Sequence, residues 1–490
     1  MTDSPLAVVV LAAGEGTRMR SRTPKVLHGF AGRSLLGHVL AATEPLGAQH
    51  TIVVVGHGRD EVTAHLGEAA PAAVAVVQER QDGTGSATRI ALESVPPDAD
   101  GVVLVVPGDT PLLGTDTLAE LVARHEHEAA AVTMLTSIVT DPTGYGRVLR
   151  GSDGGVERVV EHKDASEAEL RIDEVAAGVY AFDASALRTA LARLSSDNAQ
   201  GEHYLPDAVA ILRGDGQTVS AVLAPADETV GVNDRLQLTT AARAYNERVL
   251  DEHMRAGVTV LDPATTWVDA DVVIEPDAVI RPSVELRGRT SVGEGAEIGP
   301  QVTLTDTTVG ARTRIDRAVA VSARIGADVT IGPYAYLRPG TELADGVHIG
   351  TFVEVKNSQI GAGTKVPHLS YVGDATIGEQ TNIGAATVFV NYDGVEKHRS
   401  TIGDHVRTGA DNMFVAPVEV GDGAYTAAGS VITQDVPPGA MGVARAKQRN
   451  VEGWVARRRA GTEADRAARA ARAATDSNAA TDKTAPEERA

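Results

Sequence analysis

The sequence predicts a Rossmann-like α/β domain with a mainly parallel sheet, followed by a parallel β-helix. Three observations carry this. From residue 6 to about 230, short apolar runs alternate with stretches of helical period. From about Val272 an aliphatic residue recurs at every sixth position, often followed by glycine. Finally, 50 glycines stand against an aromatic content of 3%, the imbalance of a glycine-punctuated repeat. At 490 residues the chain exceeds one ordinary domain, and 43% hydrophobic content can fill more than one core.

Charge and composition narrow the function. A formal charge of −21 argues against a nucleic-acid surface, which needs clustered Lys and Arg, but leaves room for small anions in local basic pockets. The absence of cysteine excludes disulfides, thiolate metal sites and a cysteine nucleophile. Asp3 stands where a signal peptide would carry positive charge, and the first apolar run is too short to span a bilayer. A cytoplasmic location with no membrane contact is expected.

In the first domain, strands are expected at Ala7 to Ala12, Thr51 to Val55, Ala73 to Val77, Gly101 to Val106, Ala130 to Thr136 and Gly178 to Phe182. Helices are expected at Leu35 to Thr43, Arg59 to Leu66, Gly85 to Leu92 and Thr115 to His127. Ligands of such sheets bind at the carboxyl ends of the strands. The first strand runs into L-A-A-G-E-G-T-R-M-R-S-R-T-P-K, Leu11 to Lys25. Gly14 and Gly16 let backbone N–H groups turn towards an anion, and Arg18 and Lys25 add positive charge. Neither a dinucleotide fingerprint nor a Walker loop fits, and a plain strand-to-helix turn with solvated basic residues remains open.

Strand Gly101 to Val106 ends in Pro107-Gly108-Asp109-Thr110-Pro111, which presents Asp109 as a hard oxygen ligand suited to Mg²⁺. The same turn suits a helix cap. Gln78 to Gly85 offers amides and a glycine turn for the edge of a base, and Gly144-Tyr145-Gly146-Arg147 with Glu161-His162-Lys163-Asp164 does the same for a sugar. Ordinary turns would look alike.

Taken in order, L-A-A-G-x-G-T-R-M, T-P-K, Q-x-x-Q-x-G-T-G, G-D-x-P-L, G-Y-G-R, V-E-H-K-D and G-V-N-D-R resemble the sugar-phosphate nucleotidyltransferases. More closely they are similar to the pyrophosphorylase half of the bifunctional enzymes of UDP-N-acetylglucosamine synthesis. The resemblance implies that Leu11, Ala12, Ala13, Gly14, Arg18 and Lys25 cradle UTP, with Gln78, Gly83 and Thr84 on uracil. It implies Gly108 in the nucleotide site, Gly146 and Glu161 on the amino sugar, and Asp109 with Asn233 on Mg²⁺. The reaction implied is in-line attack of a sugar 1-phosphate oxygen on the α-phosphorus of UTP, releasing pyrophosphate. One departure is Ala176, where the family carries an Asn that contacts the acetylated sugar. The loss of one such bond costs about 0.5–3 kcal/mol and predicts weaker sugar binding rather than a dead site. Ser86 replaces a commoner His.

Residues Asn233 to Met254 carry apolar groups at helical spacing and read as a connecting helix. The hexad then runs through Ile274, Ile280, Leu286, Val292, Ile298 and Leu304, slips, and resumes at Ile325, Ile331, Leu337, Leu343 and Ile349. It continues through Ile360, Val366, Val372, Ile377 and Ile383, the pattern of a β-helix with aliphatic residues stacked inside each coil. It resembles the left-handed β-helix of the hexapeptide-repeat acyltransferases, which implies a homotrimer with sites between subunits. A β-helix can also be a mere spacer. Yet Lys356-Asn357, Pro367 to Tyr371 and Asn391 to Gly394 insert polar groups that a rod does not require.

With Arg338 and Glu354 these insertions resemble the acetyltransferase half of the same enzymes. The resemblance implies His368 as general base for the amine of glucosamine 1-phosphate, a role that suits an imidazole of ordinary pKa about 6.5. It implies Glu354 as its orienting group, Arg338 and Lys356 on the sugar phosphate, and Tyr371 and Asn382 on the sugar. Ala385, Asn391, Tyr392, Ala428 and Arg445 would line the acetyl-CoA groove, and Trp454 would come from a neighbouring subunit. Ala410 departs from a Ser or Thr whose hydroxyl lies near the thioester, and losing one oxyanion donor costs on the order of a hundredfold in turnover. The expected domains are 1–234 (uridylyltransferase), 235–256 (linker helix), 257–455 (β-helix acetyltransferase) and 456–490 (a disordered tail with a transient helix over Ala464 to Ala474). Rival readings are another sugar nucleotidyltransferase bearing a β-helix, and a trimeric scaffold whose sites have decayed.

Overall fold

The computed structural model describes residues 6–482, with side chains through residue 476. Asp3 and tail residues 483–490 lie outside them. The first domain is a nine-stranded mixed sheet covered by helices on both faces. Its elements are β1 (Ala7–Ala12), α1 (Leu35–Thr43), β2 (His50–Val55), α2 (Arg59–Ala69), β3 (Val74–Val77), α3 (Thr84–Leu92), β4 (Val102–Pro107), α4 (Thr115–His127) and β5 (Val132–Ile138). There follow β6 (Arg147–Arg150), β7 (Val156–Val160), β8 (Glu174–Asp183), α5 (Ala184–Leu191), α6 (Asp207–Gly214) and β9 (Val219–Leu223). The order is β9-β5-β8-β4-β1-β2-β3, with the β6–β7 hairpin attached to β8. β1 lies parallel between β2 and β4, whereas β8 is antiparallel to β4 and β5. Alternate residues of β1 serve the two cores, Val9 on one face and Val8 and Val10 on the other, all fully buried.

α7 (Arg235–Arg255) joins the domains. Its N-cap Asp234 accepts from the Gln237 N–H at 2.8 Å. A small cluster of Leu35, Leu112, Val232 and Ala241 packs it against the first domain. The hairpin Gly29–Ser34 reaches the first coil of the β-helix, where Ala270 N–H donates to Ala31 C=O at 3.0 Å and Arg33 pairs with Asp271.

The second domain is a three-sided prism of parallel sheets with seven, ten and nine strands, the architecture of a left-handed β-helix. Each coil stacks on the last in register, Ile280 on Ile298 on Ile315 on Ile331 on Ile349 on Val366. The interruption expected after Leu304 is corrected. Val309, Ile315 and Ala320 continue the inward series to Ile325 without a break, because three sides are one residue shorter and an alanine fills one rung. One corner is turned in coil after coil by a non-glycine residue with positive φ: Ser283, Gln301, Arg317, Tyr334, Phe352, Leu369 and Ala386. The backbone holds this costly conformation through bonds to the coil below, such as Leu369 N–H to Thr351 C=O at 3.0 Å. Residues Asn391 to Arg399 form the one long insertion of the upper coils, and Phe389 and Phe414 fill the widened core there at 5.2 Å between rings.

In the tail a helix covers Glu463–Asp482, longer than the transient helix expected over Ala464 to Ala474. Alanine and arginine favour helix, and Asp465 anchors its start by accepting from the Gly461 N–H and pairing with Arg469.

Candidate active sites

The carboxyl ends of β1 and β4 open into a cleft of about 390 Å³. Of the residues singled out in this domain, Leu11, Ala12, Ala13, Gly14, Lys25, Gln78, Gly83, Thr84, Asp109, Gly146 and Glu161 all line it. Lys25 is the focus: its Nζ pairs with the Asp109 carboxylate and donates to Asn233 Oδ1 at 3.1 Å. Asp109 therefore caps no helix, because α4 is capped at Gly114, whose N–H donates to Glu228. Gly16 is required by the same contact. Its φ is 62°, and a Cβ there would lie 2.5 Å from Lys25 Cβ.

Three assigned residues stand apart from the cleft walls. Arg18 is exposed on the 3₁₀ turn Thr17–Met19. Gly108 N–H donates to Leu11 C=O at 2.9 Å and so ties the two strand ends together. Asn233 enters only through Lys25. The base-reading loop is held from within: Gln78 Nε2 donates to Gly83 C=O at 3.1 Å, and Thr84 Oγ1 accepts from Leu205 N–H at 3.0 Å. Gln81, the second amide of the base-reading stretch, lines the cleft as well, and sequence reasoning missed Tyr180, Glu202, Leu205 and Pro206, which also do. Glu202 to Pro206 lie in an irregular stretch with no period to mark them. Ala176 does line the cleft, and its N–H donates to Gly146 C=O at 2.9 Å. Burial pushes the Glu161 carboxyl above its usual range, and Asp207, Asp164 and Glu202 add to the shift.

A divalent cation fits this donor set. Asp109 and Asn233 aim two hard oxygens at one point, and the Lys25 ammonium stands there as a cation between them.

On the β-helix, His368 is exposed at the end of strand Lys365–His368, beside Thr351 of the preceding coil. Glu354 is paired elsewhere on the prism. The Glu354 carboxylate accepts from Arg338 at 2.9 Å, because the two residues stand on neighbouring strands of the same sheet while His368 is on another. Tyr371 stacks in register above Glu354. Lys356 lies 3.9 Å from Asp374, and Asp374 also binds Asn391. Asn391 Nδ2 in turn donates to the Tyr371 hydroxyl at 3.4 Å. Lys356, Asp374, Asn391 and Tyr371 are thus one network, with the Arg338–Glu354 pair on the neighbouring strands. Lys397, which the sequence reading passed over, faces Lys356, and the adjacent ammonium holds its pKa down. Two such cations side by side suit a dianion.

Asn382 bridges Lys365 and Arg407 on the sheet that carries His368. Ala385, Ala410 and Ala428 rise one above another: Asp411 N–H donates to Ala385 C=O, Gly429 N–H donates to Ala410 C=O, and Gly409 packs against Ala428. Arg445 lies beside Gly429. Tyr392 sits apart on the inserted loop, its hydroxyl donating to Gly394 C=O at 2.6 Å. Trp454 is half-exposed under Arg459, 5.4 Å from its ring centre.

A nucleotide-sized cleft at the strand ends and an imidazole on a hexad-built prism define a two-site transferase. Residues 8–202 match the MobA-like NTP transferase domain, and residues 322–357 match the bacterial transferase hexapeptide (six repeats). The chain is 58% identical to the bifunctional protein GlmU of Streptomyces avermitilis over 95% of this chain and 97% of that one. It is equally close to the bifunctional protein GlmU of Streptomyces coelicolor, and 56% identical to that of Mycolicibacterium gilvum over 95% of both chains. The chain belongs to the GlmU family.

Proposed function

We propose that the β-helix acetylates glucosamine 1-phosphate from acetyl-CoA and that the cleft then joins the product to UTP, giving UDP-N-acetylglucosamine, the precursor of cell-wall peptidoglycan. The observation that carries this reading is the Lys25 ammonium held between Asp109 and Asn233 at the mouth of a cleft lined by the phosphate loop. Magnesium bound to Asp109 and Asn233 would neutralise the triphosphate and polarise the attacked phosphorus. Lys25, released from Asp109, swings to the phosphate oxygens, and the Gly14 backbone leaves the triphosphate room. Gln78, Gly83 and Thr84 seat uracil, while Gly146 and Glu161 fix the sugar so that its phosphate oxygen attacks in line.

In the second site Arg338, Lys356 and Lys397 hold the sugar phosphate, with Tyr371 and Asn382 on the ring. An imidazole nitrogen of His368 takes the proton lost by the amine as its nitrogen attacks the thioester carbonyl and coenzyme A leaves as thiolate. The small-residue ladder of Ala385, Ala410 and Ala428, with Asn391, Tyr392 and Arg445, forms the coenzyme groove. His368 and its exposed neighbours Leu369 and Phe352 complete a site against a second subunit of a cytoplasmic homotrimer, with Trp454 supplied by a neighbour. Among the described residues, no helix is long and apolar enough to cross a membrane.

The test offers glucosamine 1-phosphate, acetyl-CoA, UTP and Mg²⁺ and follows free thiol and pyrophosphate separately. Both signals are expected. Pyrophosphate alone would favour another sugar nucleotidyltransferase, and neither signal would favour a scaffold.

A further inference from the structure

One wall of the cleft is short of side-chain donors. It is built from Gly146, Glu161, Ala176, Gly178, Tyr180 and Glu202. Gly146 and Glu161 touch, since a Cβ on Gly146 would lie 3.5 Å from Glu161 Oε1, and the Ala176 N–H is already given to the Gly146 carbonyl. The Glu161 carboxylate has neither a cationic partner nor a hydrogen bond among the described residues. Instead Asp207, Asp164 and Glu202 act on it, all of the same sign. Beside it the Tyr180 side chain is 2% exposed, and its phenol oxygen has no partner. An unpaired, half-enclosed carboxylate and an orphaned phenol are costly until a ligand brings hydrogens to them.

The proposed function puts a 2-substituted sugar 1-phosphate against this wall. An acetamide brings one N–H and one carbonyl. Its carbonyl finds one side-chain donor here, the Tyr180 hydroxyl, because residue 176 offers only a methyl. A free 2-ammonium brings three donors and a positive charge, and it meets two carboxylates and a phenol oxygen. On the basis of that proposed function, we infer that the cleft also takes the unacetylated 2-amino sugar 1-phosphate as uridylyl acceptor, with Glu161 and Tyr180 reading its ammonium. The transfer balances as before: the sugar phosphate oxygen bonds to the α-phosphorus of UTP, the bond from that phosphorus to the bridging oxygen breaks, and pyrophosphate leaves with the electron pair.

The experiment uses the full chain with UTP and Mg²⁺, without acetyl-CoA, and compares glucosamine 1-phosphate with its N-acetylated form by pyrophosphate release and product mass. The expected kcat/KM values lie within about tenfold of each other. Glu161→Gln should lower the value for the amino sugar at least about tenfold more than that for the acetylated one, and Ala176→Asn should shift the ratio at least about fivefold towards the acetylated one. Since each readout is a ratio on one protein preparation, a poorly folded variant does not imitate it. Product from the acetylated sugar alone, or a ratio unmoved by Ala176→Asn, overturns the inference and leaves the proposed function standing. Product from neither overturns both.

Discussion

Gly16 sits where the phosphate loop crosses Lys25, with φ at 62° and a would-be Cβ 2.5 Å from the lysine Cβ. Gly16→Ala should cost about 1–2 kcal/mol in left-handed backbone and push Lys25 from Asp109. The expected outcome is a rise of about tenfold or more in KM for UTP with acetyl transfer untouched, read from parallel pyrophosphate and thiol assays. Asp109→Asn tests the other half of the pair. It should reduce uridylyl transfer about a hundredfold or more, again sparing acetylation; a loss of both would mean a folding defect instead. In the β-helix, Ala410→Ser restores a hydroxyl on the alanine ladder, and turnover in acetyl transfer should rise by up to about a hundredfold; equal rates would mean that a backbone N–H already serves the oxyanion. The residues of these clusters were legible singly, from glycine turns and a strand-end aspartate. Their meeting came only through the family resemblance and not from spacing, since Lys25 lies 84 residues from Asp109 and 208 from Asn233. The Arg338–Glu354 pair was hidden for a similar reason, because strand stacking decides which side chains become neighbours, and sequence spacing does not.

Elements with a strong period were legible and the others were not. α1 and α4 have the expected bounds, and the hexads landed on the inward positions of the prism. The β6–β7 hairpin is half exposed and rich in arginine and glutamate, so no apolar run announced it, and β9 lies at the sheet edge. Sequence could not show the junction of α7 with the hairpin Gly29–Ser34 either. There the His38 ring stacks on Phe30 at 4.5 Å and meets Tyr245 edge-on at 4.6 Å, and burial lowers its pKa to about 4. The unfolded chain, with an ordinary histidine near 6.5, therefore binds the proton first as pH falls. The stability owed to neutral His38 is complete above about pH 6.5 and is lost towards pH 4, on the order of 3 kcal/mol. Melting curves between pH 4 and 7 should show a steeper acid loss of Tm for the natural chain than for His38→Phe. Equal slopes would assign the acid sensitivity to other groups.

The two domains keep separate cores, one in the prism and one on each face of the sheet, and are joined by α7, which carries the small Leu35–Leu112–Val232–Ala241 cluster and the Arg248 contacts to Leu112 and Asp227, and by the hairpin contact. Each site should therefore survive damage to the other. Assembly is the exception. Along one corner of the prism Tyr334, Phe352 and Leu369 are 56%, 57% and 61% exposed, with the Tyr334 and Phe352 rings stacked at 5.4 Å. An apolar stripe of that size on a chain carrying 23% charged residues is out of place in water, and it runs directly to His368. If a second subunit covers it, a charge placed there should break the trimer, because a desolvated carboxylate costs several kcal/mol. Phe352→Glu and Leu369→Glu replace exposed side chains and should leave each chain folded. Sedimentation should then show monomers, acetyl transfer should fall by more than about tenfold, and uridylyl transfer should persist, since its cleft is built within one chain. Trimers with full acetyl transfer in both variants would place the subunit contact on another face, and His368 would then work within a single chain.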